Sequence, residues 1–229
     1  MEAVIFDLDG VLVDSERIWD EVRRAVVAEH GGTWREEATR AQQGMSTPEW
    51  ARYLVEELGA QLSPLEIATL VVKRMAARYA AEPPLIPGAV EVVRQVSARW
   101  PVAIASSSPV ILIKGFLDVT GLPVGAAVSS EQVGAGKPAP DVYLRAAELL
   151  GVAPPDCAAV EDTTNGLRSA LAAGMAVYAV PNPHFPPDPA GMAVYAVPNP
   201  HFPPDPAVLG QATAVVEKIT DLPRALGLS

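Results

Sequence analysis

Two aspartates stand one position apart at the end of an apolar run, in "AVIFDLDGVLVDSE" at residues 3–16. In extended chain, positions i and i+2 point the same way, so Asp7 and Asp9 can both address the space beyond a strand's carboxyl end. Asp-Gly also marks ordinary turns, so this pair alone does not make a site. Three further stretches carry polar groups at comparable places. Ser106, with Ser107 and Ser108, precedes the proline-started "PVILIKGFL"; Lys137 lies in "GAGKPAPD"; Glu161 and Asp162 lie in "VEDTTNG". Each has a purely structural use: the serine as a helix cap, the lysine as a solvated loop charge, the acids as first-turn groups that stabilise a helix dipole. Together they make a different case. Several carboxylates in one partly desolvated cleft repel, so either some take up protons or a cation binds. An all-oxygen donor set favours Mg²⁺ over zinc or copper. With a lysine and helix amino ends beside it, such a centre forms a pocket for a dianionic phosphoryl group.

Those residues converge only if the right elements hold them. Short apolar runs, "AVIFD" (3–7), "PVAIAS" (101–106), "GAAVS" (125–129), "CAAVED" (157–162) and "MAVYAV" (175–180), alternate with helical patterns. Strands apolar on both faces, separated by helices, predict an α/β protein with a doubly wound, mostly parallel sheet. All the candidate residues then sit at strand carboxyl ends, where open parallel sheets bind ligands. Residues 16–83 interrupt the alternation. They hold helix starts at "STPEW" (46–50) and at Ser63, Pro64 and Glu66, and no convincing strand. The expected organisation is a core of residues 1–15 and 84–229 with a helical cap of residues 16–83.

Composition narrows the partners. A net charge of −10 supplies no obvious basic face for nucleic acid. No apolar run approaches the length of a membrane span, and the start "MEAVIFDLDG" lacks the basic region of a secretory signal. The single Cys157 offers no disulfide framework. A soluble, cytoplasmic protein, monomeric or weakly dimeric, is expected. One oddity lies near the carboxyl end: "GMAVYAVPNPHFPPDPA" occurs at 174–190 and again unchanged at 191–207. One undiverged tandem copy is not solenoid architecture; it indicates a recent duplication or a sequence artefact. The first copy is expected to supply the fifth strand and the second to add loop or edge material.

In order along the chain, "DLDGVLVDSE", "ASSS", "GKPAPDVYLRAAELLGV" and "VEDTTNGLRSALAAG" resemble the four motifs of the haloacid dehalogenase-like hydrolase superfamily, in the subgroup with a helical cap after the first motif. The resemblance covers nearly the whole chain and is weakest in the cap. It implies a Rossmann-like core and Mg²⁺-dependent chemistry on a small phosphorylated metabolite. Asp7 would be the nucleophile, forming an aspartyl-phosphate, and Asp9 the general acid and base. Ser106, with Ser107 beside it, and Lys137 would hold the phosphate. Asp7, the Asp9 backbone carbonyl and Asp162 would bind Mg²⁺, with Glu161 a direct or water-mediated ligand.

Within that family, dehalogenases lack the second aspartate, so Asp9 implies phosphoryl chemistry. The β-phosphoglucomutase branch carries a histidine in the first cap helix and an arginine after a Gly-x-Ser; here those places hold Trp19 and Thr47. Without that arginine a second phosphate loses its anchor. A phosphatase acting on sugar phosphates or similar monoesters is therefore expected, ahead of a phosphosugar mutase or an inactive phosphate- and metal-binding relative. Cap candidates for substrate contact are Trp19, Gln43, Met45, Ser46 and Thr47, with Lys73 and Arg74 weaker. Trp19 and Met45 could equally be helix packing, and Lys73 and Arg74 a solvated face.

Overall fold

The structure, a computed structural model, describes residues 1–42, 45–180 and 206–228. Six parallel strands form one sheet in the order β3-β2-β1-β4-β5-β6: β1 (Ala3–Phe6), β2 (Val102–Ser106), β3 (Ala126–Ser129), β4 (Cys157–Glu161), β5 (Ala176–Ala179) and β6 (Ala214–Val215). The first five answer the five apolar runs. β1, β2 and β4 are buried along their whole length, which is why those runs show no polar face. Helices cover both faces. α5 (Ala89–Ser97), α6 (Val110–Thr120), α7 (Asp141–Leu150), α8 (Thr164–Ala172), α9 (Pro206–Leu209) and α10 (Leu222–Ala225) belong to this layer.

The strand order reverses direction of growth between β1 and β4, and register brings their ends level. Phe6 is opposite Ile104 on β2 and Val160 on β4, and the Asp7 N–H still donates to Val160 O at 2.9 Å. The carboxyl termini of β1, β2 and β4 therefore open onto one crevice.

Between β1 and α5 the described residues make four helices: α1 (Glu16–Glu29), α2 (Ala38–Ala41), α3 (Thr47–Glu56) and α4 (Pro64–Ala81). The expected starts of α3 and α4 are present, with capping boxes at Ser46/Glu49 and Ser63/Glu66 and a proline in each first turn. The two crossings between this helical segment and the sheet are bonded to each other: Asp14 N–H donates to Pro84 O and Ile86 N–H to Leu12 O. Apolar side chains of the segment, among them Trp50, Leu54, Ile67 and Met75, share one cluster with Phe6 and Ile104 beneath the sheet.

β6 has no counterpart among the expected strands. Two residues long and half-buried, it lies below the length at which alternation can be detected. The strand beside β4 is the first copy of the duplicated segment, Ala176–Ala179. Of the second copy, 191–205 lies outside the described residues, and Pro206 and Ala207 begin α9.

Candidate active site

The residues at the three strand ends meet, through few contacts. Lys137, from the loop before α7, is buried, with its Nζ 2.5 Å from Glu161 Oε1 and 2.9 Å from Asp7 Oδ1. Burial opposes its charge, but Asp7 and Glu161 outweigh that and hold its pKa above the ordinary lysine value. Asp7, Glu161 and Asp162 offer one carboxylate oxygen each within 4.8 Å of one another, all three buried. One ammonium cannot offset three carboxylates. Burial pushes the Asp7 carboxyl up to about 8, with Lys137 opposing and Glu161 and Asp9 adding to the shift. Asp162 moves the same way, through burial first and then Glu161 and Asp7.

Asp162 Oδ1 is buried without a hydrogen-bond partner, and Asp7 Oδ1 has only its ion pair with Lys137. Unpaired carboxylate oxygens in a buried cluster call for a hard cation with oxygen ligands. The donor set fits Mg²⁺, with Asp7 and Asp162 as its carboxylates. Gly10 makes room for the Asp162 carboxylate: at φ +81°, a Cβ there would stand 1.9 Å from Asp162 Oδ2.

Glu161 differs from its neighbours. Its Oε1 accepts from Lys137 and, at 3.0 Å, from the Tyr143 hydroxyl; Oε2 accepts from the N–H groups of Asp162 and Thr163 and from the Thr163 hydroxyl. It lies in the acidic cluster while holding Lys137 in place. α8 starts directly behind it, capped by Thr163. Gly166 in its first turn leaves the carboxylate space, since a Cβ there would lie 1.8 Å from Oε1.

Asp9 is turned out of the cluster into a ring of donors. Oδ1 accepts from Ser15 Oγ, from Trp19 Nε1 at 3.3 Å and from Tyr79 Oη at 3.4 Å; Oδ2 accepts from Ser106 Oγ at 3.3 Å and Ser108 Oγ at 2.6 Å. Three carboxylates, rather than the expected four, therefore crowd the lysine, because hydroxyls from both chain layers capture Asp9. Ser106 bonds Asp9 and accepts from the Ser108 N–H; Ser107 lines the cavity. Ser108 adds a closer contact to Asp9 than Ser106 does, and its i+2 spacing from Ser106 is the signal for it. Nothing in the sequence marks Ser15, Tyr79 or Tyr143 as partners of Asp9 and Glu161.

Asp7, Asp9 and Lys137 form the floor of a cavity of about 70 Å³ whose roof comes from α1, α2 and α3. Trp19, Met45 and Trp50 line it, as do Glu16, Asp20 and Arg23. Trp19 is both packing and contact: its ring lies 6.1 Å from that of Trp50, and its N–H bonds Asp9. Arg23 was invisible to motif position, though it falls one turn after Trp19 on the same helix face. The other cap candidates point elsewhere. Ser46 Oγ is bonded to Glu49 in the capping box, with its Cβ beside Gly136; Thr47 Oγ1 is buried without a partner. Arg74 is paired in two bonds with Glu29 on the outer side of the helices, and Lys73 is exposed, because the inner face of α4 is taken by Ile67, Val71, Met75 and Tyr79. Gln43 lies outside the described residues.

Comparisons with known proteins agree with this geometry. The family described as haloacid dehalogenase-like hydrolase matches residues 1–174. Hexitol phosphatase B of Escherichia coli (strain K12) is 33% identical over 196 residues, covering 82% of this chain and 86% of that protein. The crystal structure of a HAD family hydrolase from Deinococcus radiodurans R1 with bound phosphate and sodium is 29% identical, with a TM-score of 0.65, covering 99% of this chain and 95% of that one. A β-phosphoglucomutase of Clostridium difficile shares the fold, with a TM-score of 0.74 at 20% identity over 97% of this chain and 93% of that one. With its acidic cluster, bridging lysine and sheet order, the chain belongs to the haloacid dehalogenase-like hydrolases.

Proposed function

We propose that the protein is a Mg²⁺-dependent phosphatase that hydrolyses small phosphate monoesters, sugar or polyol phosphates among them, through an aspartyl-phosphate. The observation that carries this is Lys137 standing between Asp7 and Glu161 with Asp162 alongside. That arrangement suits a carboxylate nucleophile whose charge is balanced during transfer. The relatives named as sugar or hexitol phosphatases support the substrate class.

In the proposed sequence, an Asp7 carboxylate oxygen attacks phosphorus in line. The phosphorus–oxygen bond to the alcohol breaks, and Asp9 gives its proton to the departing alkoxide. Water then attacks the phospho-aspartate while Asp9 takes a proton from it, which releases inorganic phosphate and restores Asp7. Mg²⁺ held by Asp7, Asp162 and the Asp9 carbonyl would neutralise charge on the phosphoryl oxygens. Lys137 fixes the Asp7 carboxylate and draws the phosphoryl group; Ser107 supplies a further polar group at the cavity wall. Residues 16–83 act as a cap domain over a core of residues 1–15 and 84–229. A cavity of about 70 Å³ is far below the several hundred Å³ usual for small-molecule sites, so the cap must shift to admit a substrate and then exclude water.

The test is a panel of sugar and polyol phosphates incubated with the protein and Mg²⁺. Sustained phosphate release that Asp7→Asn abolishes, with folding retained, supports the proposal. Isomer formation without release identifies a mutase, and neither outcome leaves a binding protein.

A further inference from the structure

The roof of the cavity holds two opposite charges that no hydrogen bond or short ion pair among the described residues ties to each other or to a neighbour. Arg23 packs against two indoles, its guanidinium carbon 4.7 Å from the Trp19 ring centre and 4.9 Å from that of Trp50. The two rings, 6.1 Å apart and tilted by 59°, flank the group on adjacent sides, which restricts its orientation and leaves N–H groups away from the rings as donors. Its Nε is buried with no partner, and it makes no ion pair or hydrogen bond with a described residue. Asp20, one turn earlier, does not serve it, because its oxygens are taken by Arg24 Nε and the Thr39 hydroxyl. Glu16 lines the same cavity and likewise has no hydrogen bond or ion pair among the described residues.

An unpaired donor and an unpaired acceptor in one cavity wall match a group that both accepts and donates, which is what a hydroxyl does. Indole faces beside them match the C–H surface of a polyol chain. The Arg23 and Glu16 charges cancel and Asp20 is neutralised by Arg24, so this wall has no surplus positive charge for a second phosphate or a carboxylate. We infer that Arg23 and Glu16 form the subsite for the distal part of the substrate. Arg23 donates to its hydroxyl oxygens and Glu16 accepts from its hydroxyl protons, and the pair selects uncharged polyhydroxy ends over anionic ones. This rests on the monoester-phosphatase reading for the other end of the same molecule.

The test compares kcat/KM for a hexitol monophosphate, a hexose bisphosphate and p-nitrophenyl phosphate, which lacks distal hydroxyls, in the unmodified protein, Arg23→Met and Glu16→Gln. The ratio of hexitol monophosphate to p-nitrophenyl phosphate should fall about 10- to 100-fold in each variant, the range for hydrogen bonds to charged groups. The bisphosphate should be the poorer substrate of the unmodified protein and improve relative to the monophosphate in Glu16→Gln. Ratios that stay constant in both variants overturn the inference, as does a bisphosphate preference that Arg23→Met abolishes, which would make Arg23 an anchor for a second anion. Glu16 makes none of the ring contacts that Arg23 makes, so its variant decides the matter should Arg23→Met fail to fold. If no monoester is hydrolysed, the phosphatase reading fails by itself. The subsite is then read from calorimetric Kd values for the hexitol monophosphate and inorganic phosphate: a tenfold shift in their ratio in Glu16→Gln supports it, and an unchanged ratio overturns it.

Discussion

Gly10 and Asp162 are shaped to each other: a single carbon added at position 10 would lie 1.9 Å from the Asp162 carboxylate, and the backbone there has φ +81°. One residue follows the first strand and the other directly follows the fourth, so their fit sets how closely the two acidic loops approach. Gly10→Ala should weaken both, because the left-handed backbone costs about 1 kcal/mol for a residue with a Cβ and Asp162 must move. The Mg²⁺ concentration for half-maximal phosphate release should rise at least about tenfold, as a displaced ligand worth about 1.4 kcal/mol would require. An unchanged Mg²⁺ requirement would show that the two loops do not share an ion.

The acidic cluster makes metal and pH act together. Asp7 and Asp162 both have folded pKa values above the ordinary carboxylate range, chiefly through burial. An acid shifted upward by folding favours the folded state fully below its unfolded pKa and loses that contribution as pH rises toward the folded value, which for Asp7 is about 8. In chelator, the melting temperature should therefore decline between about pH 6 and about pH 8. Mg²⁺ should restore it, by an amount that grows with pH over that window. A Mg²⁺ effect that shrinks as pH rises contradicts the assignment; differential scanning fluorimetry measures it.

Ser108 is the nearest cavity-side donor to Asp9 after Ser15, at 2.6 Å against 3.3 Å for Ser106. Its backbone is pinned as well, since the Ser129 hydroxyl donates to its carbonyl at 2.6 Å. Ser108→Ala removes one charge-assisted bond and should lower kcat about tenfold, with a smaller change in KM. Steady-state kinetics on the best substrate of the panel decides it; a pure KM effect would assign Ser108 to substrate binding instead.

Stability and catalysis separate at Ser63. Its hydroxyl accepts from the Glu66 N–H and donates to the Glu66 carboxylate, closing the start of α4 at the far end from Tyr79. Ser63→Ala should cost roughly 0.5–2 kcal/mol in denaturant unfolding and leave kcat per folded molecule within twofold or so of its original value.

The duplicated segment offers a different test. β5 and α9 are separated by residues 180–205, 26 in all, and removing one 17-residue copy leaves 9. Either copy may be deleted with the same resulting chain, because the two are identical. Closure entropy favours the shorter connection by about 1 kcal/mol. Deletion of 191–207 should raise the unfolding midpoint and preserve Asp7-dependent turnover. Loss of folding would mean that the second copy takes part in the sheet domain.

Much of the fold was legible because its signals are local. Unbroken apolar runs of four to six residues that alternate with helical patterns have the length and composition of buried strands, and Ser63-Pro64 with Glu66 states a helix start in four letters. β6 was not legible, since a strand of two residues has no period. Lys73 and Arg74 show the limit of reading helix faces without neighbours: α4 could present either side inward until Ile67, Val71, Met75 and Tyr79 found the cap interior.

The sequence by itself determined which chemistry the chain can carry: Asp7, Asp9, Lys137, Glu161 and Asp162 occur at strand ends that a parallel sheet must bring to one edge. Only the tertiary structure decided how those charges are divided. Parallel pairing of β1 with β4 presses Asp7, Glu161 and Asp162 around a single ammonium, whereas the helices between β1 and β2 bring Trp19 and Tyr79 to Asp9 and draw it away. Hydrogen-bond partners 70 and 99 residues apart leave no trace in local spacing, because the contact depends on packing of whole elements. The packing of Arg23 against both Trp19 and Trp50 follows from the same cause: the helix period sets Trp19 and Arg23 side by side, and only the docking of α3 supplies the second ring.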